Sequence, residues 1–204
     1  PDSAGFAIYN NNEKFRYKYS FCVGEKFIFK NFKENIKKKF KNLDIKTISD
    51  HTILYTSTKP QLVIPFIKEI YKDILLVGYG KSIEIFKQVG NPKDIVKKLN
   101  LDQFKGSHGI GHTRMATESA ITIDGSHPYS TGEDECLVHN GSLSNHNNLR
   151  RMLIKKGQEF TSLNDTEVAA GYISSMLSKK NSMKDTLTDC LSNLDGFYTF
   201  IVGT

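Results

Sequence analysis

Polar residues able to do chemistry gather in four short stretches: Gly111-His112-Thr113-Arg114-Met115-Ala116-Thr117-Glu118-Ser119, Ser126-His127-Pro128-Tyr129, Val138-His139-Asn140-Gly141-Ser142-Leu143-Ser144-Asn145-His146, and Asn164-Asp165-Thr166-Glu167. Arg114 offers a planar fork suited to a carboxylate, and Asp165 offers the opposite charge for an ammonium group. Together they describe the two charged ends of an amino acid. Asn140-Gly141 can present a side-chain NH2 and a backbone N–H in one direction, because glycine lets the backbone approach closely and adopt positive φ. Such a donor pair is an oxyanion hole in outline. Each feature also has a purely structural reading. Arg114 could close an internal ion pair, Asp165 or Asn164 could cap the helix that follows, and Asn140-Gly141 could be a tight hairpin turn.

Metal binding fits the same stretches poorly. His112, His127, Cys136, His139 and His146 crowd one segment, but their spacings form neither two close ligand pairs nor His-Glu-x-x-His, so no metal is expected. Cys136 stands in an apolar run beside Leu137 and Val138, where a cysteine usually acts as a small buried hydrophobe. Cys22 and Cys190 read the same way.

The elements that must hold these stretches follow from periodicity. In the first half, strands are expected at 4–10, 16–22, 26–30, 51–57, 74–78 and 82–88, and helices at 32–41, 60–71 and 92–99. Asn91, Pro92 and Asp94 each mark the start of the last of these. Gly78-Tyr79-Gly80 reads as a turn, too short for a phosphate-binding loop. In the second half, strands at 107–114, 135–139 and 196–202 and helices at 145–156, 166–179 and 183–194 give helices layered on sheets in an α+β architecture. Each chemical stretch then sits at a strand end or a helix start, where side chains and free N–H groups converge. With no internal repeat or low-complexity linker, residues 1–204 read as one domain.

Taken in order, Asp2-Ser3-Ala4-Gly5, Gly111-His112-Thr113-Arg114-x-Ala116-Thr117, His127-Pro128, His139-Asn140-Gly141 with Asn145-His146, and Asp165-Thr166-Glu167-Val168 resemble the class II glutamine amidotransferase domain of the N-terminal-nucleophile hydrolases. The resemblance implies a four-layer αββα sandwich, incomplete here at both ends. It implies that Arg114 with Thr117 binds the α-carboxylate of L-glutamine, that Asp165 binds its α-ammonium, and that Asn140 with the Gly141 N–H forms the oxyanion hole. His139 and His127 are implied as supporting residues. The nucleophile of the family is an N-terminal cysteine whose own amine is the base. That segment would precede Asp2, so a start of the Met-Cys-Gly kind is expected upstream, and Pro1 is not expected to be catalytic. The runs from Arg114 and Leu137 look most like amidotransferase subunits of glutamate-synthase-like enzymes, such as N-methylglutamate synthase. Met115 and Glu118 depart from the aromatic and histidine of other relatives, which changes the expected pocket wall. By the same resemblance the domain needs no cofactor, and its ammonia goes to a synthase partner carrying FMN or iron–sulfur in a hetero-oligomer. A degenerate subunit that senses glutamine or serves as a scaffold is the alternative.

The chain has 204 residues, 38% hydrophobic and 25% charged, which is globular composition and excludes collagen-like, disordered and disulfide-scaffold classes. No run approaches the length of a membrane span, and three scattered cysteines fit a reducing, cytoplasmic setting. The net charge of +6, from 28 basic and 22 acidic residues, is local. Lys26, Lys30, Lys33, Lys37, Lys38, Lys39, Lys41 and Lys46 face only Glu34 and Asp44 in that segment. With Phe32, Ile36 and Phe40 at helical spacing, the cluster reads as a solvated helix face, and nucleic acid is not expected as a partner.

Overall fold

The computed structural model describes residues 2–11, 14–24, 27–115, 120–179 and 181–204. Three antiparallel sheets form the interior. Strands β1 (Ser3–Tyr9), β6 (Ile83–Val89) and β7 (His108–Arg114) make one, in the order β6-β1-β7. The second has the order β3-β4-β2-β5, built from β2 (Tyr17–Val23), β3 (Leu43–Ile48), β4 (His51–Thr56) and β5 (Ile74–Gly80). The third pairs β8 (Cys136–Leu143) with β9 (Gly196–Gly203).

Helices cover the outer faces. Helix α1 (Phe29–Lys39) buries Phe32 and Ile36 against Tyr17, Tyr19, Phe21 and Leu54, and α2 (Pro60–Ile70) adds Val63 and Ile67 to the same core. The lysines of the last turn of α1, Lys37, Lys38 and Lys39, stand where the helix dipole is negative. Helix α3 (Pro92–Leu99) begins where the Asn91 side chain accepts from the Lys93 N–H, and ends at Asn100 with φ of 51°. On the other side, α4 (His146–Lys155), α5 (Asp165–Leu177) and α6 (Met183–Asn193) pack on β8 and β9 through Leu137, Leu143, Leu149, Leu153, Val168 and Ile173. Between the sheets lie Ala7, Tyr9, Val77, Ile83, Ile85 and Cys136. The result is an α+β sandwich with strands inside and helices outside. No helix of the described residues is long and apolar enough to cross a membrane.

Three elements differ from the sequence expectation. Residues 26–30 do not form a strand as a unit, because Phe29 already opens α1; Lys26 lies outside the described residues. Leu43–Ile48 is an edge strand, whose alternation of Leu43 and Ile45 with Asp44 and Lys46 is masked by the surrounding lysines. Gly78-Tyr79-Gly80 lies within β5 and is no turn. The glycines there make room for neighbours: a Cβ on Gly80 would meet Asp134 Oδ1 at 2.2 Å. The actual turn follows, and Asp134 holds it by accepting from the N–H groups of Lys81, Ser82 and Ile83 at 2.9, 2.8 and 3.0 Å.

One ion pair is fully enclosed. Lys18, with no exposed surface, donates to Glu84 Oε1 at 3.0 Å, to Asn10 O at 2.7 Å and to Ser82 O at 3.2 Å, and Tyr55 Oη donates to the same carboxylate at 3.1 Å. Removing one partner strands a buried charge, whereas removing both does not. Glu84→Ala should therefore lose about 3–5 kcal/mol of unfolding free energy in urea, and Lys18→Met with Glu84→Leu should recover most of it. A single variant that costs under about 1 kcal/mol would contradict this account.

Candidate active site

Strand β8 changes character midway. Cys136 to His139 are buried, Asn140, Gly141 and Ser142 are exposed, and Leu143 is buried again. Asn140 pairs with Thr199 and Gly141 with Tyr198 across β9, so Asn140-Gly141 is part of the ladder and the hairpin-turn reading falls away. Gly141 has φ of +129°, a backbone that glycine adopts freely. A Cβ there would meet the carbonyl oxygen of Phe197 at 2.0 Å. Both the angle and the close approach of β9 require the missing side chain.

On β7 the side chains of Ile110, His112 and Arg114 point to one face, as the strand period demands. His112 Nε2 lies 2.9 Å from Asn140 Oδ1. The His112 and His127 rings lie with centroids 4.3 Å apart. His127 Nε2 lies 3.0 Å from Thr166 Oγ1, and His139 Nδ1 reaches the same oxygen at 3.0 Å. Thr166 Oγ1 has Asp165 Oδ1 at 3.4 Å. A hydroxyl has one proton and two lone pairs. One proton assignment satisfies every contact: Thr166 donates toward Asp165 and accepts from the N–H of both histidines.

The remaining ring nitrogens, His112 Nδ1, His127 Nδ1 and His139 Nε2, are buried with no hydrogen-bond partner among the described residues. They are then lone pairs, and orphaned acceptors are cheaper than orphaned N–H groups. For His127 and His139, neutral rings agree with the electrostatics. Burial, with the neighbouring His112, Lys87, His139 and Arg114, pushes His127 down to about 2. Burial also pushes His139 down, against the pull of Asp165.

Asp165 occupies the first turn of α5, but the cap is Asn164, whose side chain accepts from the Thr166 N–H at 2.8 Å. The Asp165 carboxylate is thereby released to accept from the Leu143 N–H of β8 at 2.8 Å. Glu167 is buried and accepts from the backbone and hydroxyls of Thr161 and Ser162 at 2.7–2.9 Å, which ties the preceding loop to α5. Arg114 is buried and donates to Ala120 O at 3.4 Å, and its charge reaches His127. Thr117 and Glu118 lie outside the described residues.

The structure thus brings Asn140, Gly141, His139, His127, Asp165 and Arg114 into one neighbourhood, and adds His112 and Thr166. The sequence signal for His112 was its place two residues before Arg114 on one strand. Thr166 lay within the Asn164–Glu167 stretch but had no role assigned to it. Among the described residues no group of three or more His, Cys, Asp or Glu is arranged to hold a metal ion. All three cysteines are free and buried. Cys136 accepts from Tyr9 Oη at 3.3 Å, and burial raises its thiol and raises that of Cys190 to about 11. A cavity of about 790 Å³ is bordered by Lys87, Tyr129, Glu135 and Ser174, but not by Arg114, Asn140 or Asp165.

Comparison with known proteins places this geometry in context. Residues 112–204 match the family model described as a glutamine amidotransferase domain. The whole chain is 45% identical over 206 residues to the glutamine amidotransferase-like protein GlxB of Rhizobium meliloti, of which it covers 68%. It is 31% identical over 217 residues to a protein of Methanothermobacter thermautotrophicus described as a putative glutamine amidotransferase, covering 71% of it. The solved structure of the allosteric regulatory enzyme of purine biosynthesis superposes on 98% of the chain with a TM-score of 0.51 at 19% identity, using 35% of its own length, which is a likeness of fold.

Two outcomes follow from this packing. His127 and His139 are depressed below the unfolded value of about 6.5, so the stability they contribute is complete above that pH and is lost as pH falls below it. The unfolding free energy measured in urea should drop between pH 7 and pH 5, by at most about 1.4 kcal/mol per pH unit for each histidine, and His127→Gln should flatten the slope. Identical slopes in the two proteins would refute the assignment. Gly141→Ala should cost about 2 kcal/mol or more in the same assay, because it forces both strain and a clash.

Proposed function

Because the chain belongs to the class II glutamine amidotransferase family, we propose that its site hydrolyses the side-chain amide of L-glutamine and supplies ammonia to a partner synthase. The observation that carries this reading is the Asn140-Gly141 pair. Its amide oxygen is engaged by His112, which leaves the NH2 group to face a reacting oxygen, and Asp165 is linked to the same cluster through Thr166. In the proposed reaction a thiolate attacks the amide carbon and a tetrahedral oxyanion forms. Ammonia leaves with the proton gained from the base, and water then hydrolyses the thioester to glutamate through a second oxyanion. Asn140 and the Gly141 N–H are proposed to hold both oxyanions. Arg114, with Thr117, takes the α-carboxylate and Asp165 the α-ammonium, while His139 and His127 support Asp165 through Thr166.

The nucleophile is proposed to be a cysteine N-terminal to Asp2. In support, Cys22, Cys136 and Cys190 are all buried, and the thiols of Cys136 and Cys190 are held protonated. The domain itself is proposed to work without a cofactor. A partner is proposed to receive the released ammonia: a glutamate-synthase-like subunit with FMN or iron–sulfur in a hetero-oligomer. The free thiols suit a cytoplasmic setting.

Glutamate release from L-glutamine by the full-length protein tests the reading. Asn140→Ala should lower kcat by roughly 10²–10³ while moving KM little, as for removal of one oxyanion donor. Arg114→Ala should instead raise KM. Glutamine binding without any glutamate release would replace this reading with a glutamine-sensing or scaffold subunit.

A further inference from the structure

An asparagine amide can work as an oxyanion donor in only one of its two orientations. Rotation by half a turn about its last bond replaces the NH2 group with a carbonyl oxygen, and the two orientations are close in intrinsic energy. Asn140 is exposed at the end of the buried run of β8, so core packing does not select between them. The neighbour that touches its amide oxygen is His112, through Nε2 at 2.9 Å.

We infer that His112 is the positioning residue of the oxyanion hole, holding the Asn140 amide by an Nε2–H donor so that the NH2 group faces the substrate. This rests on the amidotransferase reading for its catalytic consequence, but not for its geometry.

The tautomer is decided by the other edge of the ring. His112 Nδ1 is buried with no hydrogen-bond partner among the described residues. A proton there would be an orphaned donor, while a lone pair there costs less, so the ring proton belongs on Nε2. The ring itself is fixed by β7, whose register sets Gly5 of β1 opposite His112, and by the His127 ring at 4.3 Å. His127 is in turn held by Thr166, the hydroxyl that also contacts His139 and Asp165. The donor of the oxyanion hole and the carboxylate proposed for the ammonium group are thus set by one continuous series of contacts.

Two side chains separate this role from bulk packing. The amide nitrogen of glutamine reaches the position of Nε2, and that of asparagine reaches only the position of Nδ1. His112→Asn in the full-length protein should lower kcat for glutamine hydrolysis roughly 10- to 100-fold, short of the ~10²–10³ for a donor removed outright, with KM within about threefold. His112→Gln should stay within several-fold of wild type. Equal loss in both variants, or a loss carried by KM, overturns the inference. An independent arm needs no variant and no turnover: nitrogen NMR of the wild-type imidazoles should find His112 neutral and protonated on Nε2. An Nδ1–H tautomer overturns the inference even in an active enzyme. If the wild-type protein releases no glutamate, the proposed reaction fails, and the tautomer alone decides the role of His112.

Discussion

The hydroxyl of Thr166 is the smallest group in the site and the one on which most of it depends. It sits fully buried at the start of α5 and is the shared partner of His127 and His139. Without an oxygen there, two buried imidazole N–H groups would be orphaned, at a cost of about 1–3 kcal/mol each. With it, three chain segments are brought to one point: the 126–129 stretch, strand β8 and helix α5. The low local dielectric strengthens each of these bonds.

The same design explains why the helix N-terminus is arranged as it is. Asn164 takes over capping, so that Asp165 can reach across to the Leu143 N–H and stay near His139. A single residue could not do both. Residues Thr166 to Ile173 of α5 are all buried, which leaves the helix no face on which to shift independently of β8. Asp165 is therefore anchored by a helix packed in the core, although it is itself partly exposed.

Much of this was legible in the residues, for physical reasons that differ by element. Amphipathic helices with capping signals, such as α3, announce themselves locally. The site motifs were visible as an ordered combination, since Arg, Asp, Asn-Gly and His each have an ordinary structural reading when taken singly. What was hidden depends on contacts between distant segments. Gly78 and Gly80 read as a turn because a glycine admitting a neighbour looks the same in sequence as a glycine admitting a bend; only the presence of Asp134 at Gly80 separates the two. The edge strand Leu43–Ile48 was obscured by its own charged face. The role of Thr166 was hidden for a similar reason. A threonine in the first turn of a helix is ordinary, and its role exists only once two histidines from elsewhere arrive.

The fixed Asn140 amide also bears on how a catalytic cycle would close. Donors arranged to hold a negatively charged oxygen do not distinguish a transient oxyanion from a stable carboxylate. On the proposed reaction the product glutamate carries such a carboxylate where the substrate had an amide, and it shares both α groups with glutamine. A rigid hole therefore attracts its own product, and a rising glutamate concentration would compete with substrate at the site. With the roles proposed for Arg114, Asp165 and Asn140, selectivity for the reactant cannot come from these three alone, so the rate of product departure would have to be set elsewhere.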